Sequence, residues 1–454
     1  MEKLFKLKEH HTDVKTEVIA GITTFTTMAY ILAVNPNMLG DAGMDAGAVF
    51  TATALASFVA CLMMGLTANL PFALSAGMGL NAYFAYTICG QMGYSWHVAL
   101  AAVFVEGLLF ILLSLTNVRE AVFNAIPKTL KFAVSVGIGL FIAFSGLQNA
   151  HIVTDSTTLV SMFSFKASME AGTFRSEGIT VLLASAGVLI TAILLIKKVR
   201  GNILIGIGAT WILGIICQLT GLYVPDPDAG FYSLLPSGIF SMPASMAPTF
   251  LKMSFSGIGI MDFITIMLAL LFVDMFDTIG TVIGCAAKAD MLDEKGKLPE
   301  VRSILLSDAV GTTVGAVFGT STVTTFVESS AGIAHGGRTG LTTIVTGFLF
   351  LLSLFLSPIF LAVPSFATAP ALIIVGFMMM QQIVKIDMEE LSEAIPAFIT
   401  LIAMPFMYSM SAGISLGIIS YVGINLFIGK RERISPLMYV LTVLFVLKYM
   451  MLYS

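Results

Sequence analysis

Five carboxylates fall inside long apolar stretches of this chain: Glu106, Asp274, Asp277, Asp308 and Glu328. An ionisable group at membrane depth is costly, and it persists where it binds, relays a proton or pairs. Asp274 and Asp277 are three residues apart, which on a helix sets them on roughly one face. Two close carboxylates in a low dielectric do not both ionise cheaply, so one is expected to hold a proton. The alternative is plain hydrogen bonding between helices. Glu328 follows a Thr/Ser run near where a short helix would begin, and a helix N-terminus favours an anion. Its other reading is a cap for the neighbouring hydroxyls. Asp308 suits either coupling or a tie between two helices, and Glu106, with no polar neighbours, reads as a structural partner ahead of a substrate group. Asn81 offers a donor and an acceptor, which suits the alternating edge of a heterocyclic base, or else it caps a helix. Thr23, Thr24, Thr26 and Thr27 form a hydroxyl cluster just before Tyr30.

The elements that hold these groups must be membrane spans. The chain has 454 residues, 57% of them hydrophobic and 11% charged, with a mean hydropathy of +0.95. That composition belongs to an integral membrane protein in the lipid bilayer. Apolar stretches at 17–38, 46–68, 70–90, 95–116, 128–147, 177–197 and 201–222 are followed by 261–287, 301–318, 319–335, 340–361, 366–384, 394–409 and 411–429. With fourteen spans and the N-terminus inside, 19 of the 23 Lys and Arg fall on the inner side, and Lys166, Arg175 and Lys252 fall outside. The inner set includes Arg119, Lys288, Lys295 and Lys297. This asymmetry is the one expected of a multi-pass protein of the cytoplasmic membrane. No Lys or Arg lies deep in these stretches, so the site suits cations, protons or hydrogen-bond-donating neutral solutes and not an anion.

Two stretches break the pattern of a continuous span. Residues 70–81 carry Pro71, Gly77 and Gly79 before Asn81, and 319–332 carry a Thr/Ser run and Glu328. Irregular backbone survives at membrane depth where it lines a protein cavity, and paired interruptions in two halves of a chain point to a transporter site. Seven is odd, so the second seven spans run inverted relative to the first. The expected organisation is a tail over 1–16, one repeat over 17–222, an outer loop over 223–260, a second repeat over 261–429 and a segment over 430–454. That last segment is either interfacial or a further span, with Lys448, Tyr439, Tyr449 and Tyr453 suited to an interface. Gly311, Gly315 and Gly319, and likewise Gly413 and Gly417, have the small-residue spacing of closely packed helices. Cys61, Cys89, Cys217 and Cys285 show no metal-ligand spacing. No phosphate-binding glycine motif is present. No enzyme chemistry, cofactor, metal or nucleic-acid partner is expected.

The chain resembles the nucleobase:cation symporters of the azaguanine-resistance branch, purine permeases for adenine, guanine and hypoxanthine. The likeness spans essentially the whole chain and rests on four motifs in order: 20–31 around Thr23 to Tyr30, 75–82 around Gly77 to Asn81, 274–280 and 327–332. It implies an all-α polytopic fold of two inverted seven-span repeats, with short strands opening the third and tenth spans. A core domain would come from 17–116 and 261–361, and a gate domain that makes a homodimer from 128–222 and 366–429. It implies a substrate site of Asp277, Glu328, Ser329 and Asn81, with Gly79, Ala76, Phe326 and Thr27 as further lining. Proton coupling would fall to Asp274, Asp277, Asp308 and Glu328. Sister uracil and xanthine branches tend to have Glu in place of Asp277, so the shorter Asp suits a larger base.

The expected function is proton-coupled purine uptake, with guanine or hypoxanthine ahead of adenine and protons ahead of sodium. Phe25, Tyr30, Phe84 and Phe326 are the candidate rings to stack on the base. The alternative is a transporter of the same architecture for another solute, uracil or xanthine, or an anion exchanger.

Overall fold

The computed structural model describes residues 2–115, 126–156, 159–227, 230–288, 291 and 301–452. Arg119, Lys295, Lys297 and Tyr453 lie outside the described residues, as do the side chains of Lys3, Lys288 and Lys448.

Each expected stretch coincides with a helix or with a strand followed by a helix. Helix α1 (Val14–Met28) starts where Asp13 accepts the Thr16 N–H at 2.9 Å, the usual service of an aspartate N-cap. The chain breaks at Ala29 and Tyr30 and resumes as α2 (Ile31–Asp41). Helix α3 (Ala46–Met63) runs into a wider turn and ends at Asn69, whose φ of 53° is left-handed. Pro71 then denies the helix a backbone donor, and strand β1 (Leu74–Ala76) takes over, followed by the short α4 (Met78–Ala82) and a π-helical run to Gln91. Helices α5 (Trp96–Leu115) and α6 (Lys128–Asn149) follow. A hairpin of β2 (Val153–Ser156) and β3 (Leu159–Met162) precedes α7 (Ile179–Ile196) and α8 (Asn202–Leu219). The hairpin lies outside the apolar stretches, and Val153, Thr154 and Val160 have the β-branched character of strands.

The second half has the same plan in the opposite direction. It comprises α9 (Ile260–Lys288), α10 (Val301–Phe318), β4 (Val323–Thr325), the short α11 (Ser329–Ala334) and α12 (Gly340–Ser353, extended in broken turns to Leu361). Then come α13 (Ser365–Met380), α14 (Leu391–Phe406), α15 (Met410–Phe427) and α16 (Pro436–Leu452). Eight helical segments among the described residues are long and apolar enough to cross a membrane, and four more are shorter and apolar. The C-terminal α16 packs along α15, burying Met438, Leu441 and Phe445, while Val440, Val443 and Met450 stay exposed.

Strands β1 and β4 pair antiparallel, with Leu74 opposite Thr325, Ser75 opposite Thr324 and Ala76 opposite Val323. The ladder is extended by Gly77 N–H to Thr322 O at 3.0 Å and Phe326 N–H to Ala73 O at 2.9 Å. Each interrupted segment therefore satisfies the backbone of the other, which is what makes non-helical chain tolerable there.

The helices pack in two groups. α5 lies on α10, α3 on α10 and α12, and α1 on α12; separately, α6 lies on α13 and α14, α14 on α15, and α7 on α8 and α13. In the first group the two halves approach most closely at Gly65 and Gly340, where a Cβ on Gly65 would stand 2.7 Å from the Gly340 carbonyl. Beside it the Asn69 side-chain oxygen accepts the Gly340 N–H at 3.0 Å. The Gly413 and Gly417 pair faces Thr400 of α14, and Gly311 and Gly315 face Val323 of β4.

Candidate functional site

The break between α1 and α2 points Tyr30 at the start of α11. Its hydroxyl donates to Glu328 Oε1 at 2.8 Å, and one turn earlier the Thr27 hydroxyl lies 3.4 Å from the Glu328 carbonyl. The Tyr30 and Phe326 rings are 6.5 Å apart. From α9, Asp277 interacts electrostatically with both Glu328 and Tyr30. Thr27, Asp277 and Glu328 are half-buried, whereas Tyr30 and Phe326 are buried and Val327 beside them is exposed. The arrangement sets two carboxylates, one phenol and two rings close together, with the carboxylates half-buried. Glu328 occupies the N-cap position of α11 without making a side-chain capping bond to the helix, and its carboxylate takes the Tyr30 hydroxyl.

Asp274, three residues before Asp277, meets a different environment. The Thr278 hydroxyl lies 2.8 Å from Asp308 Oδ2, 2.8 Å from Thr324 Oγ and 3.3 Å from Asp274 Oδ1. Asp274, Thr278, Asp308 and Thr324 are all buried. One hydroxyl carries one proton, so Thr278 serves a single acceptor at a time. This makes it a junction between two carboxylates of α9 and α10 and the strand.

The Thr/Ser run entering β4 is a fastening device. Thr320 meets Asn35 of α2 at 2.9 Å and Thr53 of α3 at 3.0 Å. The Ser321 hydroxyl donates to the Asn81 side-chain oxygen. Thr322 donates to Glu106 of α5 at 3.3 Å, and the Val323 carbonyl accepts from Thr312 of α10 at 2.9 Å. On the opposing strand, the Ser329 hydroxyl accepts the Ala73 N–H at 3.0 Å, and Ser57 meets Ser75 at 2.7 Å. Asn81 and Ser329 are thus fully buried and fix the strands.

Of the residues expected at the site, Thr27, Asp277, Phe326 and Glu328 come together around Tyr30. Ala76 is buried in β1, and Gly79 faces α6, where a Cβ would stand 2.9 Å from Ile138 Cγ2. Among the candidate stacking rings, Phe25 packs edge-on against Phe350 at 5.2 Å and Phe84 is fully buried in the core. Tyr30 and Phe326 are buried as well, and their rings stand together where Tyr30 meets Glu328. A buried carboxylate absent from the sequence reading is Glu17, which accepts the N–H groups of Arg338, Thr339 and Thr342 and the Thr342 hydroxyl at 2.6 Å. It caps the start of α12. Its signal was its place just inside the first span, beside the basic tail.

Residues 15–416 match the model of a family described as the permease family. Over 450 residues, 97% of this chain and 98% of the relative, the sequence is 44% identical to the guanine/hypoxanthine permease PbuO of Bacillus subtilis. Over 449 residues, 99% of this chain and 95% of the relative, it is 40% identical to the adenine permease AdeP of Escherichia coli. Among solved structures it is similar to the transmembrane domain of a cyanobacterium bicarbonate transporter, BicA. That likeness has a TM-score of 0.62 and 14% identity, covers 89% of this chain and 97% of the other, and is one of fold alone.

Proposed function

This chain belongs to the permease family, a multi-pass membrane protein, and we propose that it takes up a purine nucleobase in symport with protons. The reading is carried by one observation: Tyr30 holds the Glu328 carboxylate at 2.8 Å, at a half-buried spot shared with Asp277. Carboxylates accept hydrogen bonds, and the N–H groups of a nucleobase edge supply them. A 6-oxopurine carries an N1–H donor where adenine carries an acceptor, so guanine and hypoxanthine suit this pair better than adenine. The relatives that support purines are permeases for guanine/hypoxanthine and for adenine. Phe326 and the Tyr30 ring are the surfaces on which the base stacks.

In this reading the N-terminus lies in the cytoplasm and the protein sits in the cytoplasmic membrane. Asp274 and Asp308, joined through Thr278, take the coupling proton, and the strand pair transmits its presence to the site through Thr324. The helices of 17–116 and 261–361 move as a core against those of 128–222 and 366–429, through which the protein dimerises. Labelled hypoxanthine uptake into vesicles tests the whole. It should rise with an inward proton gradient, ignore a sodium gradient, and be competed by guanine more strongly than by adenine, uracil or bicarbonate. Uptake that follows sodium overturns the coupling ion, and preferential competition by uracil or bicarbonate overturns the substrate.

A further inference from the structure

A second group of polar and aromatic side chains lies on the face opposite the N-terminus, where α2 ends at Asp41. A cavity of about 400 Å³ opens there between the end of α6, the β2–β3 hairpin and the end of α14. The rings of Phe144, Phe406 and Tyr408 line it, together with the Gln148 carboxamide and the Asp155 carboxylate. Tyr408 connects this cavity to the interior. Its ring stands 5.1 Å from Phe141 and 6.4 Å from Tyr86. Tyr86 in turn donates to Asp41 Oδ2 at 3.2 Å and accepts from Asn149 Nδ2 at 2.6 Å. Tyr86 belongs to the π-helical run after α4 and Asn149 to α6, so this bond ties that run to α6 immediately beside the cavity.

Lipid contact accounts for exposed rings, but not for a carboxylate and a carboxamide sharing one cavity with three of them. That combination matches a flat heterocycle, whose faces stack on rings and whose edge alternates donors and acceptors. We propose that this cavity is a receiving site for planar, hydrogen-bonding heterocycles, occupied before the solute passes the Tyr86–Asn149 closure. The ligand class rests on the purine reading of the central site. In this scheme Phe406 and Tyr408 stack on the incoming base, and Asp155 and Gln148 pair with its edge.

Phe406 is 67% exposed and Asp155 is exposed, so their substitution leaves the core untouched. Phe406→Ala and Asp155→Ala should each raise the apparent KM for labelled hypoxanthine about three- to tenfold at unchanged maximal rate, the scale of one stacking contact or hydrogen bond. Phe406→Trp should keep the wild-type value. Equilibrium binding to purified full-length protein gives a second measurement. A Glu328→Gln protein should retain weak hypoxanthine binding, which a further Phe406→Ala weakens about three- to tenfold more. An unmoved KM in both single variants, or no further loss of binding when Phe406→Ala is added to Glu328→Gln, overturns the receiving site while intact wild-type uptake preserves the purine reading. If wild-type vesicles take up no purine at all, the substrate reading falls and this proposal falls with it.

Discussion

Asp277 and Asp274 stand one helical turn apart on α9, yet they inhabit different regions of the molecule. Asp277 is half-buried and interacts with Glu328 and Tyr30. Asp274 is sealed in a hydroxyl-lined network with Thr278, Asp308 and Thr324. In the first region the carboxylates are partly exposed. In the second they are fully buried. Spacing on a helix says that two carboxylates are near each other, and the neighbours then decide what each can do. The strand pair touches both regions, since Thr324 of β4 meets Thr278 and Phe326 follows one residue after the strand ends.

The strongest way to break this contrast is at the open region. Glu328→Gln and Asp277→Asn should each weaken hypoxanthine binding about 30- to 100-fold, the scale of a lost hydrogen bond to a charged group. Equilibrium binding to purified protein measures it, and full retention of affinity in either variant would remove that residue from the site. At the sealed region the expected effect is of another kind. Asp308→Asn should hold affinity within about threefold but lose proton-driven accumulation, because the network no longer exchanges a proton while the ligand groups stay in place. Counterflow exchange should survive in that variant. A large loss of affinity instead would merge the two regions into one.

Tyr30→Phe sharpens the boundary of the open region. It removes the donor to Glu328 and keeps the ring, so affinity should fall about five- to tenfold, one hydrogen bond to a carboxylate at a partly wet position. If Tyr30→Phe binds as well as wild type while Tyr30→Ala does not, the ring is the contributing part and the phenol only fills space.

The two interrupted segments and the five carboxylates were legible in the chain because each is local, and the inverted order followed from the span count. Proline, glycine runs and ionisable groups in apolar sequence announce themselves within a dozen residues. What was not legible depends on partners far away in sequence. Tyr30 and Glu328 are separated by 298 positions, so nothing near Tyr30 marks its hydroxyl as anything but a polar tip on an aromatic. Asn81 looked like a ligand because it can donate and accept, and its oxygen is taken by Ser321, 240 positions away. The Thr/Ser run read as a broken helix, which it is, but its role in fastening the strand to α2, α3, α5 and α9 follows from packing alone. Glu17 was missed for a simpler reason. At the first turn of a span beside Lys15, a carboxylate reads as part of the charged tail, and only the approach of α12 turns it into a buried cap.

The smallest effect is expected at a carboxylate that belongs to neither region. Glu390 precedes α14 and accepts from the Ser392 hydroxyl at 2.7 Å and from Lys430 at 3.1 Å, with Arg433 3.5 Å away. The Ser392 hydroxyl first, and the Lys430 ammonium after it, hold its carboxyl down at about 2. A folded-state value below the unfolded one of about 4.3 means the stabilisation is complete above the unfolded value and is lost as pH falls through the folded one. Glu390→Gln should therefore lower the melting temperature slightly at neutral pH, with the difference from wild type shrinking as pH drops below about 4. Because the pair is partly exposed, the shift should be small and weaken further with salt. Hypoxanthine affinity should not change. A change in affinity would mean that the charged surface at α14 is coupled to the open region, and the contrast between the two carboxylates on α9 would then have to include a third.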